Sequence, residues 1–74
     1  MDKLPILSGR EIIKILEKVG YSIIRQRGSH IRLSCSNKKS ITIPDHKTIN
    51  KSLLGKILRD AELSREKFKE LFKN

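Results

Sequence analysis

The chain has 74 residues, which is near the lower limit for a domain with its own hydrophobic core, so we predict one domain over residues 1–74. This length leaves no room for separate cofactor-binding and substrate-binding domains. Seventeen lysines and arginines against eight acidic residues give a net charge of +9 at pH 7, which favours a polyanionic partner such as nucleic acid, an anionic membrane surface or an acidic protein.

The amino-terminal segment MDKLPILSGRE does not have the pattern of a signal peptide. It carries an acid at position 2 and lacks the apolar region that such peptides require. No stretch of the sequence approaches the ~18 apolar residues of a membrane span. We therefore expect a cytoplasmic protein.

The first predicted helix spans residues 9–19. Ser8 and Glu11 have the spacing of a capping box, in which each side chain binds the other residue's backbone amide. Gly20 follows at the position of a left-handed C-terminal cap. Apolar residues at helical spacing would form the buried face: Ile12, Ile13, Ile15, Leu16 and Val19.

Three segments with strand patterns follow the helix. YSIIRQR is rich in β-forming residues and ends at Gly28, and HIRLSCS begins at His30. In the second segment Ile31, Leu33 and Cys35 alternate with polar residues, which predicts one buried face and one solvent-facing side. Cys35 is the single cysteine, so an internal disulfide and a cysteine-rich zinc site are excluded, and we expect a small buried side chain.

The third strand is predicted after a polar turn at residues 37–39. SITIP alternates with Ile41 and Ile43 inward, and Pro44 ends the ladder because it has no amide hydrogen to donate.

The second half of the chain returns to helical spacing. One apolar stripe is interrupted by Gly55, and Ser64 caps a short final helix. The order α-β-β-β-α-α predicts an α+β fold in which a three-stranded antiparallel sheet carries helices on one face. The stripe consists of Ile49, Leu53, Leu54, Ile57, Leu58 and Ala61; the final helix carries Phe68, Leu71 and Phe72, which with Tyr21 we also expect in the core.

The register of the second hairpin decides where the two histidines lie. Opposed residues share a face, so a loop at 37–39 pairs Arg32 with Pro44 and, one step further, His30 with His46. A slip of two residues keeps this parity and makes the two histidines diagonal, and Pro44 can also end the ladder first. We expect both imidazoles near one end of the solvent-facing side. The same loop pairs Ser36 with Ser40 and Ser34 with Thr42.

Such an arrangement is suited to RNA cleavage without a metal. Attack by a ribose 2′-hydroxyl needs a base, an acid and cations around the phosphate; histidine can transfer protons near neutral pH and arginine binds phosphate. His30 and His46 are both candidates for these proton transfers. Two histidines without paired carboxylates make a poor metal site, so we expect no metal and no cofactor. The predicted RNA-binding residues are Arg25, Arg27, Gly28, Ser29, Arg32 and Lys47.

The segments LSGREIIKILEKVGY, RQRGSHIRL, ITIPDH and LLGKILRDAELS resemble, in this order, the HicA family of toxin ribonucleases. The resemblance runs from about Ser8 to Ser64, and its most specific parts are GSH at 28–30 and IPDH at 43–46. It implies a double-stranded-RNA-binding-domain-like fold and metal-independent cleavage of messenger RNA, with His30 as the catalytic residue and His46 left as the weaker candidate. It also implies a HicB-type antitoxin that binds the toxin and blocks this histidine, so that the toxin is a monomer alone or a hetero-oligomer with its antitoxin.

The chain departs from the family pattern at three places. Ser52, Leu53 and Leu54 replace the usual Gly-Thr-Leu at the start of the second helix. Glu62 stands where a glycine is common, and the C-terminal SREKFKELFKN is longer than expected.

Two other functions are compatible with the sequence. One is a non-catalytic double-stranded-RNA-binding module on the same fold. The other is a helix-turn-helix DNA binder built from residues 52–62 and 64–73, which is disfavoured because three apolar residues leave its second helix little polar surface to read bases.

Overall fold

The computed structural model describes residues 6–73. The strands form one antiparallel sheet in the order β1-β2-β3. The predicted α+β class and the α-β-β-β-α-α order are confirmed. No helix of the described chain is long and apolar enough to cross a membrane. The elements are α1 (Gly9–Lys18), β1 (Ser22–Arg27), β2 (His30–Cys35), β3 (Lys38–Pro44), α2 (Lys51–Asp60) and α3 (Arg65–Lys73).

Helix α1 begins at the predicted residue and ends one residue before the predicted end. The Glu11 amide donates to Ser8 Oγ at 3.1 Å, and the Ser8 amide donates to Glu11 Oε1 at 2.9 Å. Val19, the predicted last residue, is the C-cap, and Gly20 has φ +106°. The Tyr21 amide then donates back to the Leu16 carbonyl at 3.1 Å, which closes the helix and turns the chain into β1.

The core lies between the helices and one face of the sheet. The inward residues of β2 and β3 are buried, as the alternating pattern predicts, and α1 and α2 pack against β3. Phe68 of α3 is fully buried, but Phe72 is 44% exposed, so its predicted core position is wrong. Cys35 packs against the core but is only partly buried. Phe72 lies one turn beyond Phe68, at the edge of the groove between α1 and α3, where α1 covers only part of its ring.

The register of the second hairpin differs by two residues from the shortest-loop pairing, and it is the two-residue slip that keeps the same parity. The turn is Ser36–Asn37, with Asn37 at φ +68°, rather than residues 37–39, so Lys38 and Lys39 belong to β3. His30 therefore pairs with Pro44, and Arg32 with Thr42. The inward parity survives because a bulge between Leu33 and Cys35 adds one residue to β3 and compensates for the shorter turn.

A second bulge, in β1, decides which way its arginines face. Ile23 pairs with Leu33 and Arg25 with Arg32, so Ile24 has no partner in the ladder. Strict alternation from the buried Tyr21 would put Arg25 and Arg27 on the helix side of the sheet. The extra residue reverses their direction, and both arginines lie on the solvent-facing side.

The turn after α2 contains a residue in a conformation that favours glycine. Glu62 has φ +56°, and the Leu63 amide donates to the Leu58 carbonyl at 2.9 Å. The left-handed conformation costs a non-glycine residue about 1–2 kcal/mol. Glycine avoids this cost, but it loses more conformational entropy on folding, so the net gain is smaller. We expect Glu62→Gly to raise the free energy of unfolding by about 0.5–1 kcal/mol, measured by urea denaturation. Glu62→Ala is the control: an equal gain there would mean that the charge, and not the backbone, is responsible.

Candidate nucleic-acid site

A shallow pocket lies on the solvent-facing side of the sheet. Its volume is about 360 Å³. All three strands contribute to it, in two rows that run across the sheet. The first row is Arg27–His30–Pro44 and the second is Arg25–Arg32–Thr42. The lining side chains are Arg25, Arg27, His30, Arg32 and Thr42.

The pocket concentrates positive charge without a compensating acid. Among the described residues, no carboxylate lines it, and neither Arg25 nor Arg27 forms an ion pair. Arg32 donates to Thr42 Oγ1 at 3.2 Å, which orients its guanidinium along the second row. Like charges directly opposed on neighbouring strands destabilise a sheet, and Arg25 opposes Arg32. An anion bound between them would remove this repulsion.

The turn before β2 brings the imidazole to the rim of this pocket. Gly28 has φ +60°, and no atom lies within 4 Å of where its side chain would be, so the glycine is needed for the backbone conformation rather than for space. A glycine at the first central position of a two-residue loop is typical of a type II′ hairpin turn. His30 follows directly, with its side chain exposed and opposite Arg27.

The amino end of α1 holds the other side of this turn. The Asp45 amide donates to the Ser29 carbonyl at 2.6 Å, and the Asp45 carboxylate accepts two hydrogen bonds from Arg10, each 3.1 Å long. These hydrogen bonds, together with the charge of Arg10, hold the pKa of Asp45 below its ordinary value. The Gly9 amide donates to the His46 carbonyl at 2.9 Å. The chain after β3 is thus attached both to α1 and to the turn that carries His30.

His46 and Lys47 lie outside the pocket. Both are exposed in the connection between β3 and α2, and the predicted pairing of His46 with His30 is wrong because the shorter turn brings Pro44 opposite His30. Gly28 and Ser29 form the turn at the rim. Within residues 6–73, no group of three or more His, Cys, Asp or Glu side chains could hold a metal ion.

Three residues around the site were missed from the sequence. Thr42 was placed opposite Ser34 by the wrong register, and the alternative slip of two residues would have put it beside Arg32. Arg10 and Asp45 come together across 35 positions of the chain, and no local pattern indicates such a pair.

The comparison with protein families decides what kind of protein this is. The family model described as the HicA toxin of bacterial toxin-antitoxin matches residues 9–63. The chain belongs to this HicA toxin family. Membership supports a toxin role and implies an antitoxin partner. No curated protein matches the chain.

In this HicA toxin, α3 lies beyond the matched range but is packed into the core. Phe68 is fully buried, and Lys18 Nζ on α1 donates to the Leu71 carbonyl near the end of α3 at 3.0 Å. The C-terminal segment is therefore structural, whatever else it binds.

Proposed function

We propose that this HicA toxin is a metal-independent endoribonuclease that cleaves messenger RNA, with His30 as its catalytic residue. The observation that carries the proposal is an exposed imidazole at the rim of a pocket that three arginines line without a neutralising acid. Arginine binds phosphate through paired N–H groups, and histidine exchanges protons near neutral pH.

The reaction has simple requirements that these side chains meet. The ribose 2′-oxygen forms a bond to phosphorus while the bond from phosphorus to the 5′-oxygen breaks, which leaves a 2′,3′-cyclic phosphate and a 5′-hydroxyl. A base takes the 2′-hydroxyl proton and an acid gives one to the 5′-oxygen. His30 performs one of these transfers and water performs the other; His46, which lies outside the pocket, is the weaker candidate for this second transfer. The arginines stabilise the extra negative charge on the five-coordinate phosphorus.

The remaining predicted residues have supporting parts in this proposal. Gly28 and Ser29 shape the turn that positions His30, and Lys47 adds positive charge along the path of the RNA beyond the pocket. A HicB-type antitoxin inhibits the toxin by covering the same pocket. Residues 1–74 act as one domain in the cytoplasm, where both messenger RNA and the antitoxin are present.

The proposal is tested with purified protein and a defined RNA. We expect cleavage to persist in EDTA, to yield 2′,3′-cyclic phosphate ends, and to stop when the ribose at the cleaved position is replaced by 2′-deoxyribose. RNA that is bound but never cut would contradict the proposal and would support the non-catalytic RNA-binding alternative. Loss of cleavage in EDTA would show that a metal takes part.

A further inference from the structure

The two rows of the pocket are spaced like a repeating ligand. Arg27 and Arg25 are two positions apart on β1, as are His30 and Arg32 on β2, so about 6.7 Å separates the rows along the strands. This is comparable with the separation of consecutive phosphates in an extended polynucleotide strand. A strand that runs parallel to β1 and β2 would therefore meet one row with each of two neighbouring phosphates.

The rows differ in chemistry. The first row holds the imidazole and one guanidinium, which are the groups that a reacting phosphate needs. The second row holds two guanidinium groups and the Thr42 hydroxyl, and it has no side chain that transfers protons near neutral pH. Thr42 accepts a hydrogen bond from Arg32, which fixes one of the two arginines before any ligand arrives.

We propose that the second row is a separate subsite that binds the phosphate adjacent to the scissile one. Arg25 and Arg32 bind this neighbouring phosphate. At the phosphate that is cut, Arg27 stabilises negative charge and His30 transfers a proton. The substrate is then a single RNA strand with charged linkages on at least two consecutive nucleotides. This inference rests on the proposed function for the identity of the scissile phosphate, but the second subsite can be tested by binding alone.

The experiment uses short RNAs in which only one ribose carries a 2′-hydroxyl, so that the cleaved position is fixed. In matched oligonucleotides the linkage directly 5′ or directly 3′ of the scissile phosphate is an uncharged methylphosphonate. The values of kcat/KM are measured for the wild type and for Arg25→Ala. On the fully charged RNA we expect Arg25→Ala to lose about tenfold, as is typical for one hydrogen-bonded charge contact.

The decisive quantity is the coupling between the residue and the phosphate. Neutralising one of the two neighbouring linkages should cost the wild type about tenfold and should cost Arg25→Ala several-fold less, because only the contact with Arg32 remains to be lost. Arg27→Ala should keep its full penalty on the same oligonucleotide. Arg65→Ala is the control for charge loss alone, since Arg65 lies on α3 outside the pocket. Independent, multiplicative effects of Arg25→Ala and both neutral linkages would overturn the inference.

A second measurement separates this inference from the proposed function. The same proteins and oligonucleotides are compared by their dissociation constants. In these oligonucleotides 2′-deoxyribose replaces the single ribose that carries the 2′-hydroxyl, so that they cannot be cut. Coupling of Arg25 to the neighbouring phosphate in binding supports the subsite even if no RNA is ever cleaved. Absence of coupling in binding as well as in kcat/KM rejects the subsite while leaving His30 in place.

Discussion

Replacing His30 with alanine is expected to lower the rate of RNA cleavage by about 10²- to 10⁴-fold, the usual effect of losing one proton-transfer group. The fold should be unaffected, because the side chain is exposed at the start of β2 and its removal leaves no cavity. Exposed substitutions of this kind shift stability by at most about 0.5 kcal/mol. The measurements are cleavage of a defined RNA and a thermal melt on the same preparation.

His46→Ala is the matched control for His30→Ala. The chain has two histidines, both exposed, and only His30 lines the pocket. We expect His46→Ala to lose less than about tenfold, and His30→Gln, which keeps polarity but cannot accept and release a proton near neutral pH, to be as inactive as His30→Ala. Equal, large losses of cleavage rate in both variants would support a mechanism in which both histidines transfer protons. Full activity of His30→Ala would show that His30 takes no part in the chemistry.

The features that could be predicted from the sequence are those set by local patterns. Ser8, Glu11 and Gly20 specify both ends of α1 through hydrogen bonds within a few residues. The inward parity of β2 and β3 follows from alternation alone, because a shift of one residue would expose every isoleucine. These local rules were sufficient for the element order and for the position of His30 after its turn.

The features that could not be predicted depend on bulges. Because of the bulge in β3, the two-residue turn at Ser36–Asn37 keeps the expected inward and outward faces. A regular hairpin without a bulge needs a loop at 37–39, and that loop pairs His30 with His46 instead of Pro44. The bulge at Ile24 placed Arg25 and Arg27 on the pocket side, against the simple alternation from Tyr21. Bulges carry no reliable local signal, since their cost is balanced by contacts made elsewhere in the sheet.

The pocket and α1 are linked through a surface ion pair and backbone hydrogen bonds. Arg10 holds Asp45, and the Asp45 amide holds the Ser29 carbonyl, one residue before His30. The position of the imidazole therefore depends on how closely α1 approaches the end of β3. That approach is made possible by a glycine: a Cβ atom at Gly9 would overlap the carbonyl oxygen of Pro44.

Gly9→Ala is accordingly expected to destabilise the protein by about 2–3 kcal/mol, at the upper end of the range for overpacking, because the obstructing atom is backbone and cannot rotate away. Gly55→Ala is the matched control: Gly55 lies inside α2 with nothing within 4 Å of its added methyl group, so the same substitution should stabilise by about 0.5–1 kcal/mol. Urea denaturation measures both changes. If Gly9→Ala is as stable as the wild type, the end of β3 moves away from α1, and the contact between Asp45 and Ser29 should then weaken and RNA cleavage fall. A Gly9→Ala protein with wild-type stability and wild-type cleavage would show that the approach of α1 does not position His30.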